Sequence, residues 1–129
     1  MDETVFNEMI DRRHCQCMEL MKPKGAEYRR GGDVLHNFKR AAPFLGALTP
    51  AHAVICFLAK HLVSVWDIVD DCARGIYPTE KIIDEKFSDI HNYFYLMEAA
   101  IREKMEIEAT MRGKMGRPTL PVTAGSDSP

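Results

Sequence analysis

The chain has 129 residues, a formal net charge of −2, and 46% hydrophobic against 28% charged residues. That length fits one domain able to bury a core without disulfide or metal staples, and the balance excludes a disordered or fibrous chain. The acidic balance, with a pI near 6.2, argues against a protein that coats nucleic acid by charge alone. No run reaches the ~18 uninterrupted apolar residues of a membrane span. The start, MDETVFNEMIDRR, lacks the basic region and apolar stretch of a signal peptide. We therefore expect a cytoplasmic protein without a membrane partner.

Residues 3–21 place Phe6, Met9, Ile10, Cys17, Leu20 and Met21 mostly three and four apart, which predicts an amphipathic helix ending before Pro23 and Gly25. A second helix follows, with Asp33 as its cap, Leu35, Phe38, Ala42 and Leu45 on one side, a kink or early end at Pro43, and Gly46 as its stop. Thr49-Pro50 is an N-cap followed by proline at the first helical position; it opens a third helix through about Arg74, closed by Gly75. Val54, Phe57, Leu58, Leu62, Val65, Ile68, Val69 and Cys72 form its expected core stripe, with Lys60, Ser64, Asp67 and Asp71 as a polar face beside it.

Thr79 begins the last long helix, whose expected apolar side is Ile83, Phe87, Ile90, Phe94, Met97, Ile101 and Met105. From Gly113 onward glycine, proline and small polar residues show no periodicity, so residues 113–129 are expected to be a flexible, disordered tail to a helical domain of residues 1–112. With no strand-like alternation, the predicted class is all-α, a bundle of about four helices. Cys15, Cys17, Cys56 and Cys72 fall in these helices and read as reduced packing residues; His14 beside Cys15 and Cys17 has no second pair at zinc-finger spacing.

The chemistry concentrates in three places. Between the first two helices, KPKGAEYRRGGDVLHNFKRAA crowds charge and glycine into one connection. Lys24, Arg29 and Lys39 could hold phosphate and Tyr28 could stack a base, with Glu27, Asp33 and Asn37 beside them. An exposed charged loop is the alternative. On the third helix, Lys60 and His61 interrupt an apolar pattern and could face a phosphate, an ion-pair partner or a hydrogen bond in the core. Asp67, Asp70 and Asp71 near its end, and Asp84, Glu85 and Asp89 on the fourth helix, should approach one another across the short connection at Gly75 to Pro78. Carboxylates at one-turn spacing on facing helices could hold magnesium through Asp67, Glu85 and Asp89, and the magnesium could hold a phosphorylated ligand. Solvated faces or ion pairs are the other reading.

The segments KGAEYRRGGDVLHNFKRAA, FLAKHLVSVWDIV and IIDEKFSDIHNYFYLMEAAI, spanning about residues 22–104, resemble a group of small phage and prophage proteins. The order of features is also similar to the phage nucleotide-modification-associated family and, more remotely, to MazG-like all-α nucleoside-triphosphate pyrophosphatases. The resemblance implies a helical bundle that handles nucleotides in a host cytoplasm. The Glu-Glu-x-x-Glu and Glu-x-x-Asp motifs that hold magnesium in MazG-like enzymes are not intact here. Of their ligands only Asp89 and Glu85 have counterparts.

Two functions follow as expectations. One is a phage-encoded nucleotide-binding protein, using Lys24, Glu27, Tyr28, Arg29, Asp33, Asn37, Lys39, Lys60, His61, Ser64 and Asn92 for the ligand and Asp67, Glu85 and Asp89 for magnesium. Such a protein would sequester a nucleotide, as a counter to host defence, or hydrolyse it as a magnesium-dependent pyrophosphohydrolase. The other is an interaction module that inhibits a host or phage enzyme through a helical face, since Met9, Met18, Met21, Met97, Met105, Met111 and Met115 suit an adaptable or self-associating surface, a homo-oligomer included. DNA binding ranks third because no helix carries enough basic residues for recognition.

Overall fold

The computed structural model describes residues 1–28 and 30–114, and side chains for these except at residues 24–28. The described residues form an all-α bundle of four helices, α1 (Glu3–Tyr28), α2 (His36–Ala41), α3 (Pro50–Ala73) and α4 (Glu80–Lys114), with a 3-10 turn at Ala42–Leu45 between α2 and α3. No strand occurs among them; Arg30 and Asp33 form an isolated bridge. The expected tail lies outside the described residues from 115 onward, while Gly113 and Lys114 still belong to α4.

The helix boundaries follow local chemistry. The Thr49 hydroxyl accepts the His52 N–H at 3.3 Å, and Pro50 sits where its missing N–H costs nothing. At the far end Gly75, at φ 81°, lets the chain leave α3 in a conformation that penalises any residue with a Cβ. Pro43 ends the α-helical path of α2 and the next turn tightens to 3-10, which Gly46 closes at φ 61°. Asp33 does not cap α2 directly. Its Oδ1 accepts the Leu35 N–H at 2.9 Å and shapes the turn before the helix.

Helix α1 differs from the expectation. It runs through Pro23 to Tyr28 rather than ending at residue 21. Proline inside a helix removes one backbone donor and crowds the carbonyl four residues earlier, a cost of about 3 kcal/mol, yet α1 continues through it. Much of the segment read as a loop is therefore helix, and the true connection shrinks to the turn around Gly31 and Gly32, both at positive φ.

The core sits where α2 meets α3 and α4. Leu35, Phe38, Ala42, Ala53, Val54 and Ala100 form one buried cluster, backed by Tyr93, Leu96 and Met97. Phe38 meets Phe57 at 5.7 Å and Tyr93 at 6.4 Å between ring centroids, both edge to face. The stripe expected to be core on α3 is divided: Val54 and Leu58 are buried, whereas Leu62 and Val69 are exposed. On α4 Ile90 is buried, but Phe94, Ile101 and Met105 are exposed. Periodicity marks a helix's apolar face; it does not say whether that face meets its own chain. Cysteine packing is divided too, with Cys17 buried, Cys72 half-buried, and Cys15 and Cys56 exposed.

Candidate functional site between α1, α3 and α4

Polar side chains are drawn into the helix interfaces along one length of α4. Arg13 on α1 reaches across to it: Nη2 donates to Asp84 Oδ1 at 2.8 Å, and Nη1 lies 2.8 Å from the Asp84 carbonyl oxygen and 2.9 Å from Ser88 Oγ. Gln16, one turn on, donates from Nε2 to Asp84 Oδ2 at 3.1 Å. Burial alone would raise the Asp84 carboxyl, but the hydrogen bonds from Arg13 and Gln16 and the arginine charge outweigh it and hold the group below the usual carboxylate value.

One turn deeper, the interface of α3 with α4 carries His61 and Asp89. His61 Nδ1 lies 3.5 Å from Asp89 Oδ2, with the side chains 13% and 15% exposed. The imidazole lies at 4.9 Å, tilted by 38°, from the Tyr93 ring. Asn92 completes the cluster. It is 8% exposed, and its Oδ1 is buried without a hydrogen-bond partner. An unmade bond of this kind costs about 1–3 kcal/mol, so its retention in an interior needs a reason.

A cavity of about 400 Å3 opens between α1 and α4, lined by Gln16, Glu19, Leu20, Lys81, Asp84, Glu85, Ser88 and Asp89. Its size falls in the range of small-molecule sites. Asn92 follows Ser88 by four residues and Asp89 by three, so it stands one turn along α4 from two residues of the cavity wall. The lining is acidic, with Glu19, Asp84, Glu85 and Asp89 against Lys81. Lys86 Nζ donates to Glu85 Oε1 at 2.9 Å, a bond that raises the lysine's pKa.

The expected site residues separate into groups. Glu85 and Asp89 line the cavity, His61 pairs with Asp89, and buried Asn92 lies one turn along α4 from cavity-lining Ser88. Lys60 and Asp67 are exposed on α3; Asp67 is six residues, about 240° around the helix, from inward-facing His61. Ser64 Oγ donates to the Lys60 carbonyl oxygen within its own helix at 3.0 Å. Asp33 and Lys39 join a different end of the bundle: Lys39 Nζ donates to Asp33 Oδ2 at 2.9 Å and to Glu103 Oε1 at 2.6 Å. Glu103 is 18 residues beyond Glu85, about 27 Å along α4. Asn37 is exposed on α2. Lys24, Glu27, Tyr28 and Arg29 lie outside the described side chains.

Asp67, Glu85 and Asp89 do not converge: among the described residues no three histidine, cysteine or acidic side chains are placed to hold a metal ion. Glu85 and Asp89 remain one turn apart on α4, a pair that could bind magnesium together with ligand phosphates. Arg13, Gln16, Ser88 and Tyr93 were not among the expected site residues. Their signal is the three- and four-residue spacing of Arg13 with Gln16 and of Asp84 with Ser88, which puts matching polar steps on two helices.

No protein-family model matches the sequence, no curated protein matches it, and no solved structure matches the fold.

Proposed function

We propose that the protein binds a phosphorylated nucleotide in the cavity between α1 and α4, whose wall holds Asp89, with His61 paired to Asp89 and Asn92 one turn along α4 from Ser88. The observation that carries this reading is the buried, unpartnered Asn92 Oδ1, three residues after Asp89 of the carboxylate–imidazole pair and one before Tyr93 on α4. A carboxamide offers both a donor and an acceptor, the combination that reads the edge of a base, and an aromatic ring supports its face. The cavity's acidic lining disfavours bare phosphate. Phosphate would enter with a divalent cation on Glu85 and Asp89, which would balance its charge against the carboxylates.

Capture fits the residues better than turnover. The paired acidic motifs of MazG-like enzymes are not intact, and the carboxylate on α3, Asp67, is exposed on another side of its helix. Under this reading the protein is a nucleotide sponge. The resemblance to phage proteins supplies a setting, in which a phage protein removes a nucleotide signal of host defence.

A thermal-shift screen of nucleoside mono-, di- and triphosphates and cyclic nucleotides, with and without magnesium, tests the proposal. Stabilisation by at least one, lost in Asn92→Leu, is expected. No shift with any of them contradicts it. Chromatography of the bound ligand after incubation separates capture from hydrolysis: intact nucleotide is expected.

A second reading, an interaction module, is favoured by a different observation. Large apolar side chains stand exposed on α1, α3 and α4, among them Phe6, Ile10, Leu62, Trp66, Phe94 and Ile101. Helix α3 is long and apolar enough to cross a membrane, yet only 17% of its most apolar window is buried. Such surface is expensive to leave in water.

A further inference from the structure

The outward face of α3 is a regular seam. Ile55, Ala59, Leu62, Trp66, Val69 and Ala73 succeed one another at steps of four, three, four, three and four residues, and all are exposed. Trp66 is 71% exposed. This is the 3.5-residue repeat with which two helices pack knobs into holes over several turns. The neighbouring face of the same helix, about 100° round and running through Val54, Leu58, His61, Val65 and Ile68, is already committed to the chain's own interior. We propose that the seam is the interface of a homodimer in which α3 pairs antiparallel with α3 of a second copy, about a two-fold axis near Ser64.

Three features select a second copy in that orientation. First, the seam is self-complementary. Reversal about residue 64 sets Leu62 level with Trp66 of the other copy, Ala59 with Val69, and Ile55 with Ala73, so that two of the three layers match a small side chain to a larger one. Second, charge is distributed unevenly along the helix: Lys60 lies in its N-terminal half, and the exposed carboxylates Asp67 and Asp70 in its C-terminal half. Parallel pairing would gather both copies' carboxylates at one end. Antiparallel pairing separates them and also opposes the helix dipoles.

Third, the chain has surface to cover. It exposes 10346 Å2, about 1,800 Å2 more than a compact domain of its size would, even with residues 115–129 counted as wholly accessible. A standard stable interface takes only about 800 Å2 from each partner.

Trp66 is the chain's single tryptophan, which makes the seam directly observable. The test uses the full chain in sedimentation velocity over a hundredfold concentration range, with Trp66 emission recorded on the same samples. The expected result is a species of twice the 14.7 kDa chain mass, with Trp66 emission shifted to shorter wavelength as it forms. Leu62→Glu, at an exposed position, should sediment as a monomer with unchanged helical circular dichroism and red-shifted emission. A wild-type monomer at every concentration overturns the proposal, as does a dimer that Leu62→Glu leaves intact. If Leu62→Glu loses helicity, Val69→Glu replaces it, with the same two outcomes.

Oxidative cross-linking reads the orientation. In a Cys56→Ser background, a cysteine placed on the seam by Ala59→Cys lies about 15 Å along the helix from its counterpart in the antiparallel pair and beside it in a parallel one, so a disulfide between the two introduced cysteines in the soluble dimer overturns the antiparallel arrangement. Flotation with phosphatidylcholine–phosphatidylglycerol vesicles tests the lipid alternative. Failure to float is expected, and flotation that Leu62→Glu abolishes would show that lipid, rather than a second copy, covers the seam. None of these readouts depends on nucleotide binding.

Discussion

His61 on α3 and Asp89 on α4 face each other at 3.5 Å in an interface that leaves about one-seventh of either side chain exposed. The Tyr93 ring lies against the imidazole, and the unpartnered Asn92 amide lies one residue before that tyrosine. Apolar side chains would pack this position at lower cost. If the pair belongs to a binding site, Asp89→Asn should weaken nucleotide binding by at least about tenfold, about 1.4 kcal/mol, with a smaller change in unfolding midpoint than in affinity. Calorimetric titration and urea unfolding of the same preparation check this.

Asn92→Leu should leave the thermal midpoint unchanged or raise it while nucleotide binding is lost. Replacing an unsatisfied buried amide by an apolar group of similar volume removes a desolvation penalty of about 1–3 kcal/mol, whereas removal of a packed structural residue would destabilise. A large fall in the midpoint would identify Asn92 as structural.

Arg13 ties α1 to α4 through Asp84 and Ser88, and Gln16, bonded to Arg13 within α1, donates to Asp84 as well. Arg13→Ala should lower unfolding free energy by about 1–3 kcal/mol, because the Asp84 carboxylate loses its charged donor in a partly buried place. Asp84→Ala should cost a similar amount. The double variant should cost less than the sum, since both substitutions disable one network. Urea denaturation of the four proteins measures the coupling.

This network and the Asp33–Lys39–Glu103 network at the other end of the bundle set a pH dependence. Hydrogen bonds from Lys39 and the Leu35 N–H hold Asp33 below the usual carboxyl value, and at Asp84 the upward push of burial is outweighed by the hydrogen bonds from Arg13 and Gln16. A carboxyl lowered by folding contributes stability that is present above its unfolded pKa and lost as pH falls through the folded one. Lys39 is raised above 10.5, first by Glu103 and then by Asp33, so its contribution is present below that value and lost as pH rises through the higher folded one. Asp33 and Lys39 are each about one-third exposed, so solvent screens their share. Asp84→Asn should therefore flatten the acid limb of a midpoint-against-pH curve below about pH 4. Lys39→Met should flatten the alkaline limb and leave the acid slope of Asp84 in place.

Leu35, 2% exposed, anchors the cluster where α2 meets the long helices. Leu35→Ala should lower stability by about 2–5 kcal/mol by leaving a cavity. Leu62→Ala removes a similar volume from an exposed position, and in the dissociated monomer should cost well under half as much. Unfolding of both variants at low concentration, or in a Val69→Glu monomer background, makes the comparison.

Local signals were legible in the sequence because they are complete within a few residues. Thr49-Pro50, Gly46 and Gly75 each supply a capping or left-handed conformation that the backbone needs at that point, and the helices end there. Pro23 misled because α1 runs through it despite a lost hydrogen bond and a steric clash worth about 3 kcal/mol, for which no local pattern accounts. Leu62 and Val69 misled differently: periodicity identifies a face, and only the tertiary arrangement shows that α4 packs on the other side of α3. His61, Glu85, Asp89 and Asn92 announced themselves as polar steps within apolar patterns. Arg13 and Ser88 did not, because their role depends on α1 lying against α4, a pairing that no local pattern encodes. Lys39 carried the right charge for a ligand, but its partner proved to be Glu103 at the far end of α4.

The central claim is that the cavity beside Asn92 takes a phosphorylated nucleotide, and isothermal titration of the full chain with the nucleotide that gives the largest thermal shift tests it most directly. Saturable binding by the wild type with magnesium present, reduced at least about tenfold in Asp89→Asn and abolished in a stably folded Asn92→Leu, is the predicted result. Equal affinity in the wild type and both variants, or no heat with any nucleotide, would contradict it.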